Sequence, residues 1–167
     1  MARPTRPVLS VDKTLISEVL QRVSNAKTKD EKVKLLVQYK SPALTKVLLC
    51  NFSKNVGFVF PDGETPYKTS EMPKGIQHQI LFREHRLIDK MVTKTINGVT
   101  YYGCSGQPRP SIQQLKKEAL WIQLLESLHA DEAELLDLMK DKKLNTRYKI
   151  TKQNVIDAFP ELRLQDE

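Results

Sequence analysis

The sequence predicts an all-α fold, a single helical-bundle domain that carries one small β-hairpin. Three observations lead there. Apolar residues recur at helical spacing in both ends of the chain. Helix-start signatures punctuate those ends, at Thr28 with Glu31, Ser41 with Pro42, Ser111 with Gln114 and Asp131 with Glu134. The connections between the early helices are short, which implies antiparallel packing in a bundle. With 167 residues and 40% apolar composition the chain can bury one sizeable core. The expected organisation is a flexible basic arm over residues 1–11, one domain over 12–162 and a tail over 163–167.

In chain order, Arg3, Pro4, Arg6 and Pro7 resist regular structure. From Asp12 to Ser24, the residues Leu15, Ile16, Val19, Leu20 and Val23 repeat with helical period and give a first helix. Thr28 and Glu31 have the form of a capping box, and Val33, Leu36 and Val37 carry a second helix to about Tyr39. Ser41 before Pro42 starts a third, because proline at the first helical position needs no N–H; its apolar residues are Ala43, Leu44, Val47, Leu48 and Phe52. Residues 53–76 change character. Gly57, Pro61, Gly63, Pro66, Pro73 and Gly75 exclude a long helix or strand and predict an irregular loop or lid, pinned to the core by Phe58, Val59 and Phe60 and turned at Asp62-Gly63.

A helix from about Gln77 to Met91 presents Ile80, Leu81, Leu87, Ile88 and Met91. Over residues 92–103, Asn97-Gly98 between β-forming residues predicts the hairpin. After the linker SGQPRP, Ser111 opens a helix in which Leu115, Ala119, Ile122 and Leu125 are flanked by Trp121, Leu124 and Leu128. That arc is wide enough to predict a helix buried between others, with Trp121 in the core. Asp131 and Glu134 start the next helix, carrying Ala133, Leu135, Leu136 and Met139. A polar connection follows. Thr151 then caps a short last helix whose Val155, Ile156 and Phe159 face inward, and Pro160 stops it.

Lys and Arg number 27 against 20 Asp and Glu, a net charge of +7 that favours a polyanionic partner. No apolar run approaches the roughly 20 residues of a membrane span, and MARPTRPVLS lacks the apolar core of a secretion signal, so a soluble intracellular protein with no membrane partner is expected. Cys50 and Cys104 lie far apart without a CxxC pattern, which favours buried thiols over a disulfide or zinc site. His78, His85 and His129 have no metal-ligand spacing, and no Walker loop, GxSxG or GxGxxG is present. Asp62-Gly63 is not preceded by the lysine of the nucleotidyltransferase KxDG signature. Catalytic residues, metal ligands and cofactors are therefore not assigned.

Lysines crowd one stretch instead. Lys140, Lys142 and Lys143 end a helix, Arg147, Tyr148 and Lys149 lie in the connection, and Thr151 and Lys152 open the last helix. Two readings of this cluster stand side by side. Cations complement the negative end of a helix dipole, and a basic loop leading into a capped helix start is a place for a phosphate. The second reading makes these residues, with Lys27, Thr28 and Lys29 in the loop before the second helix, a candidate DNA-binding surface.

Two blocks of sequence carry a family resemblance. LISEVLQRVSNAKTKDEKVKLLVQYK followed by SPALTKVLLCNFS, and later LMKDKKLNTRYK followed by ITKQNVIDAFPEL, resemble the two ends of the helical DNA-binding domain of the ATP-dependent DNA ligase of T-even bacteriophages. Residues 53–110 depart from that pattern. NAKTKDEK, FPDGETPYK, WIQLLESLHADEAELL and ITKQNVIDAFP resemble an uncharacterised family carried by large tailed phages. The ligase resemblance implies a helical module gripping double-stranded DNA across the minor groove, with the Thr-Lys loop at Thr28 and Lys29 and the final loop at Arg147, Tyr148, Lys149 and Thr151. It does not imply joining, since the catalytic domains and their nucleophilic lysine are absent from these 167 residues. The phage resemblance implies a source, the cytoplasm of an infected bacterial host, but no activity; with the ligase resemblance the expectation is a DNA-binding module in replication, repair or transcription, with a phage or host replication or transcription protein as a further partner. The alternative is an interaction protein, either a host-factor inhibitor or a virion or assembly component, that reuses the same fold.

Overall fold

A computed structural model describes residues 14–58, 60, 63–73, 79–96, 98–102 and 114–166. The arm over 1–11, Ser111 as a helix start, His78 and Cys104 lie outside the described residues. Among the described residues, eight α-helices and a three-stranded antiparallel sheet share one core. In order they are α1 (Ile16–Asn25), α2 (Lys29–Gln38), α3 (Pro42–Phe52), β1 (Val56–Phe58), α4 (Leu81–Glu84), β2 (Val92–Ile96), β3 (Val99–Tyr102), α5 (Gln114–Ser127), α6 (Ala130–Lys140), α7 (Leu144–Arg147) and α8 (Lys152–Ala158). The mainly helical prediction holds.

The first three helices start where local chemistry places them. Thr28 Oγ1 accepts the Glu31 N–H at 3.2 Å, and Ser41 Oγ accepts the Leu44 N–H at 3.1 Å ahead of Pro42. Leu15, Ile16, Val19, Leu20 and Val23 are all buried, whereas Val37 on α2 is 51% exposed and is not a core residue. Leu15, the residue before α1, offers no side-chain cap. A distant carboxylate takes that role. Glu132, fully buried near the start of α6, accepts the Ile16 N–H at 2.8 Å through Oε2 and the Leu81 N–H at 3.1 Å through Oε1. The starts of α1, α4 and α6 therefore converge on one side chain, where orphan N–H groups need an acceptor.

Several expectations are corrected. The stretch over 53–76 contains a strand, β1, which pairs with β2 through Val56↔Lys94, Gly57↔Thr93 and Phe58↔Val92. The expected hairpin is β2 and β3, closed at Ile96↔Val99, with Gly98 at φ +79° in the left-handed region that the turn requires. The long helix expected from Gln77 is the four-residue α4 followed by a 3-10 segment, His85–Lys90, that buries Ile88. On α5 the inward face is Lys117, Trp121, Leu124 and Leu125, continued by Leu128 just after the helix, while Leu115 is 80% exposed and Ala119 is exposed. One face of α5 is covered rather than the whole circumference. The next helix is capped by His129, whose Nδ1 accepts the Asp131 N–H at 3.1 Å, and not by Asp131. The tail is packed: Leu164 is 1% exposed in a 3-10 turn after Pro160–Leu162.

Trp121 sits in the core as expected, 1% exposed, with Phe58 and Phe60 against it at ring-centroid distances of 5.7 and 5.5 Å. A strap over residues 63–68 crosses α5 and α6. Thr65 Oγ1 donates to Asp137 Oδ1 at 2.6 Å and accepts from Trp121 Nε1 at 3.3 Å, and the Lys68 N–H donates to Glu126 at 3.0 Å. The phenylalanines and the strap turn a glycine- and proline-rich segment into a lid on the tryptophan. Helix α2 packs on α1 and α8, and this packing positions the lysine-bearing surface.

Candidate nucleic-acid interface

The lysine-rich stretch does not project as one cluster. The Lys140 ammonium is buried and donates to Gly63 O at 2.8 Å and Asp141 Oδ1 at 2.7 Å, so it fastens the strap to the end of α6. Lys142 adopts φ +58°, which turns its side chain back to donate to Cys50 O at 2.9 Å and Ser53 O at 2.6 Å. These carbonyls lie at the end of α3, where the helical ladder runs out of donors. Lys140 and Lys142 are thus structural cations, a correction to the candidate surface. Tyr148 is another: it is 3% exposed, and burial pushes its phenol up to about 12.

The start of α8 is likewise occupied. Thr151 Oγ1 accepts the Asn154 N–H at 3.2 Å while Asn154 Oδ1 accepts the Thr151 N–H at 3.0 Å, a complete reciprocal box. Two N–H groups that a phosphate would use are already satisfied. The Thr28 hydroxyl is spent on capping α2 in the same way.

Lys27, Lys29, Lys143 and Lys149 remain exposed, Lys152 partly so. Arg147 is half exposed; its Nε meets Glu134 Oε1 at 3.2 Å and its guanidinium lies 5.6 Å from the Tyr148 ring centroid. Both sequence segments that bear these cations are joined. The Lys149 N–H donates to Ser24 Oγ at 2.9 Å, and the Lys149 carbonyl accepts the Lys32 ammonium. Hence the end of α1, the start of α2 and the 147–152 connection form one edge, with Lys27, Lys29, Lys149 and Lys152 on it. Lys143 precedes α7, at its N-terminal end. Ser24 and Lys32 were not singled out from sequence, because nothing within a few residues of either marks a partner more than a hundred positions away. The edge is not purely basic: Asp30 and Glu31 are exposed in the first turn of α2, and Glu31 accepts the Lys27 N–H at 3.2 Å.

Beside the edge lies a cleft of about 340 Å³ between α1, the start of α6 and the Arg147-Tyr148 pair. Ser17, Glu18, Gln21, Arg22 and Asn25 line it from α1, and Asp131 from α6, so two carboxylates and two guanidiniums face it. Gln21 Nε2 donates to Asn25 Oδ1 at 3.0 Å. Ser17 is 4% exposed, and its Oγ has no hydrogen-bond partner among the described residues.

Among the described residues no group of three or more His, Cys, Asp or Glu side chains is placed to hold a metal ion, and no described helix is long and apolar enough to cross a membrane. His129 is a helix cap, and His85 Nδ1 lies 3.0 Å from Phe82 O. Cys50 is fully buried. No curated protein and no solved structure matches the chain. A family model does match, over residues 19–146, from the middle of α1 into α7; it takes in Lys27 and Lys29 of the edge but not Lys149 and Lys152. The chain therefore belongs to that family, described as a family of unknown function (DUF6433).

Proposed function

We propose that the chain is a non-catalytic module that binds the phosphate backbone of double-stranded DNA along the edge bearing Lys27, Lys29, Lys149 and Lys152, in phage replication, repair or transcription in the cytoplasm of the infected host. The observation that carries the reading is the stitching of the two lysine-bearing segments through Lys149 to Ser24 and Lys32. Cations far apart in sequence thereby share a surface. The net charge of +7 adds a long-range attraction for a polyanion. The resemblance of both end blocks to the phage ligase DNA-binding domain points the same way, and those blocks supply α1, α2, α3, α7 and α8.

The test is fluorescence anisotropy with labelled duplexes of several sequences over a range of salt. Neutralised phosphates release counterions, so a backbone binder shows a steep, sequence-independent fall of affinity with salt. Replacing Lys27, Lys29, Lys149 and Lys152 together by alanine removes charges without touching the core. The expected result is weaker binding to every duplex and a salt slope flattened by roughly one unit for each phosphate no longer neutralised.

Failure of the unmutated protein to bind duplex DNA at low salt would sink this reading in favour of a protein-interaction role.

A further inference from the structure

Arg147 meets a carboxylate although the chain that carries it runs along the lysine edge. We infer that Arg147 is a further phosphate-contacting cation of that edge and that Glu134 restrains it, so that a DNA strand gains the contact by displacing the Glu134 carboxylate. The inference rests on the DNA-binding reading and deepens it.

The backbone sets the direction of the side chain. From Arg147 to Thr151 exposure alternates residue by residue, with Arg147, Lys149 and Thr151 exposed and Tyr148 and Ile150 buried. Tyr148 is extended, at φ −116° and ψ 132°, and in extended backbone residues two apart share a face. Arg147 therefore faces outward with Lys149, whose N–H and carbonyl are tied to Ser24 and Lys32.

The guanidinium is also held in place. It lies 5.6 Å from the centroid of the Tyr148 ring, and a planar head resting on a ring loses less freedom on meeting an anion than an ammonium on a loose stem. Its N–H fork fits a phosphate as well as a carboxylate. Glu134, on α6, occupies one side of that fork, with Oε1 3.2 Å from Nε.

That hold is easily exchanged. The two side chains are 45% and 51% exposed, so water screens the pair, and ion pairs of this kind contribute little to stability. Glu18 and Asp131 line the neighbouring cleft, which Arg22 shares, and Glu134 is the carboxylate in ion-pair contact with Arg147. A phosphate carries the same sign of charge as Glu134, so the two compete for one guanidinium. Whatever the strand gains at Arg147 is reduced by the contact it replaces.

The experiment is a double-mutant cycle read by duplex anisotropy over a range of salt, with urea midpoints measured on the same variants. Arg147→Ala should weaken binding to every duplex and flatten the salt slope by roughly one unit. Glu134→Gln should tighten binding about threefold, the scale of an exposed ion pair, and should give no gain in the Arg147→Ala background. Glu71→Gln, which removes an exposed carboxylate from another surface, gives the effect of net charge alone. A gain from Glu134→Gln that persists without Arg147, or that Glu71→Gln matches, overturns the restraint and assigns the effect to general repulsion. Unchanged affinity and slope in Arg147→Ala overturn the contact itself, and a lower urea midpoint with no change in affinity gives the pair a structural role only. Each of these results leaves the lysine reading intact. Absence of duplex binding by the unmutated protein overturns both.

Discussion

Lys142 shows how a side chain drawn as surface by its sequence context becomes part of the frame. Its left-handed φ of +58° costs a non-glycine residue roughly 1–2 kcal/mol, and its ammonium offsets this by satisfying two carbonyls at the end of α3. Lys142→Ala should keep the backbone cost and lose both bonds, lowering stability by about 1–3 kcal/mol, with duplex affinity unchanged. Urea midpoints beside anisotropy check this, and a loss of affinity at full stability would return Lys142 to the interface. Glu132 makes a different prediction. Burial pushes its carboxyl from the ordinary 4.5 up to about 7, against the opposing pull of the Leu81 and Ile16 N–H bonds. Between those values the folded chain holds a proton that the unfolded chain has released, so this group makes stability fall as pH rises through the window and adds no further slope above it. The change is on the order of 3 kcal/mol. Glu132→Gln should flatten that part of the pH profile in urea titrations at pH 5, 6, 7 and 8, and an identical profile in the two proteins would refute the assignment.

At the scale of elements, starts with a partner a few residues away were legible in the sequence and the rest were not. Thr28 finds Glu31, Ser41 finds Leu44, and Thr151 finds Asn154, all within three positions. The hairpin was legible because Gly98 supplies the positive φ its turn needs. By contrast β1 is three residues in a glycine- and proline-rich stretch, and only pairing with β2 makes it a strand. The face of α5 was misplaced for a related reason. Leu115 and Trp121 both lie on helically spaced apolar stripes, and the choice is made by Phe58, Phe60 and Thr65, which close over Trp121 from a segment distant in sequence. Within the candidate site, Lys27, Lys29 and Lys149 are exposed and Lys152 partly so, but Lys140 and Lys142 were overread because their carbonyl partners, Gly63 and Cys50, lie far away in the chain. The cap on α8 gives an element-level test. A seven-residue helix is shorter than the roughly 12–15 residues an isolated helix needs, so α8 depends on its cap and on α2. Thr151→Ala should cost about 1 kcal/mol, or a Tm lower by about 2–4 °C, measured by circular dichroism.

For the molecule as a whole, the fold sorts cations that are neighbours in sequence into an inward set that braces the frame and an outward set along one edge. That division predicts a contrast at matched charge. Lys149→Ala with Lys152→Ala should flatten the salt dependence of duplex binding by roughly two units if each lysine meets one phosphate, whereas Lys68→Ala with Lys116→Ala, both exposed on other surfaces, should leave the slope as it was. Equal effects from the two pairs would mean that net charge, and not this edge, governs binding.

The convergence of three helix starts on Glu132 also constrains the order of events in folding. Its two backbone donors lie 116 and 51 residues away along the chain, so neither bond can form until distant parts of the protein have met and closed long loops. Helix α1 must reach its place before it acquires the acceptor that finishes it. Those bonds therefore belong to the native side of the folding barrier, and Glu132→Gln should speed unfolding while leaving the refolding rate nearly unchanged in stopped-flow chevrons. Through that one carboxylate, the lifetime of the native state, more than the rate of reaching it, is set.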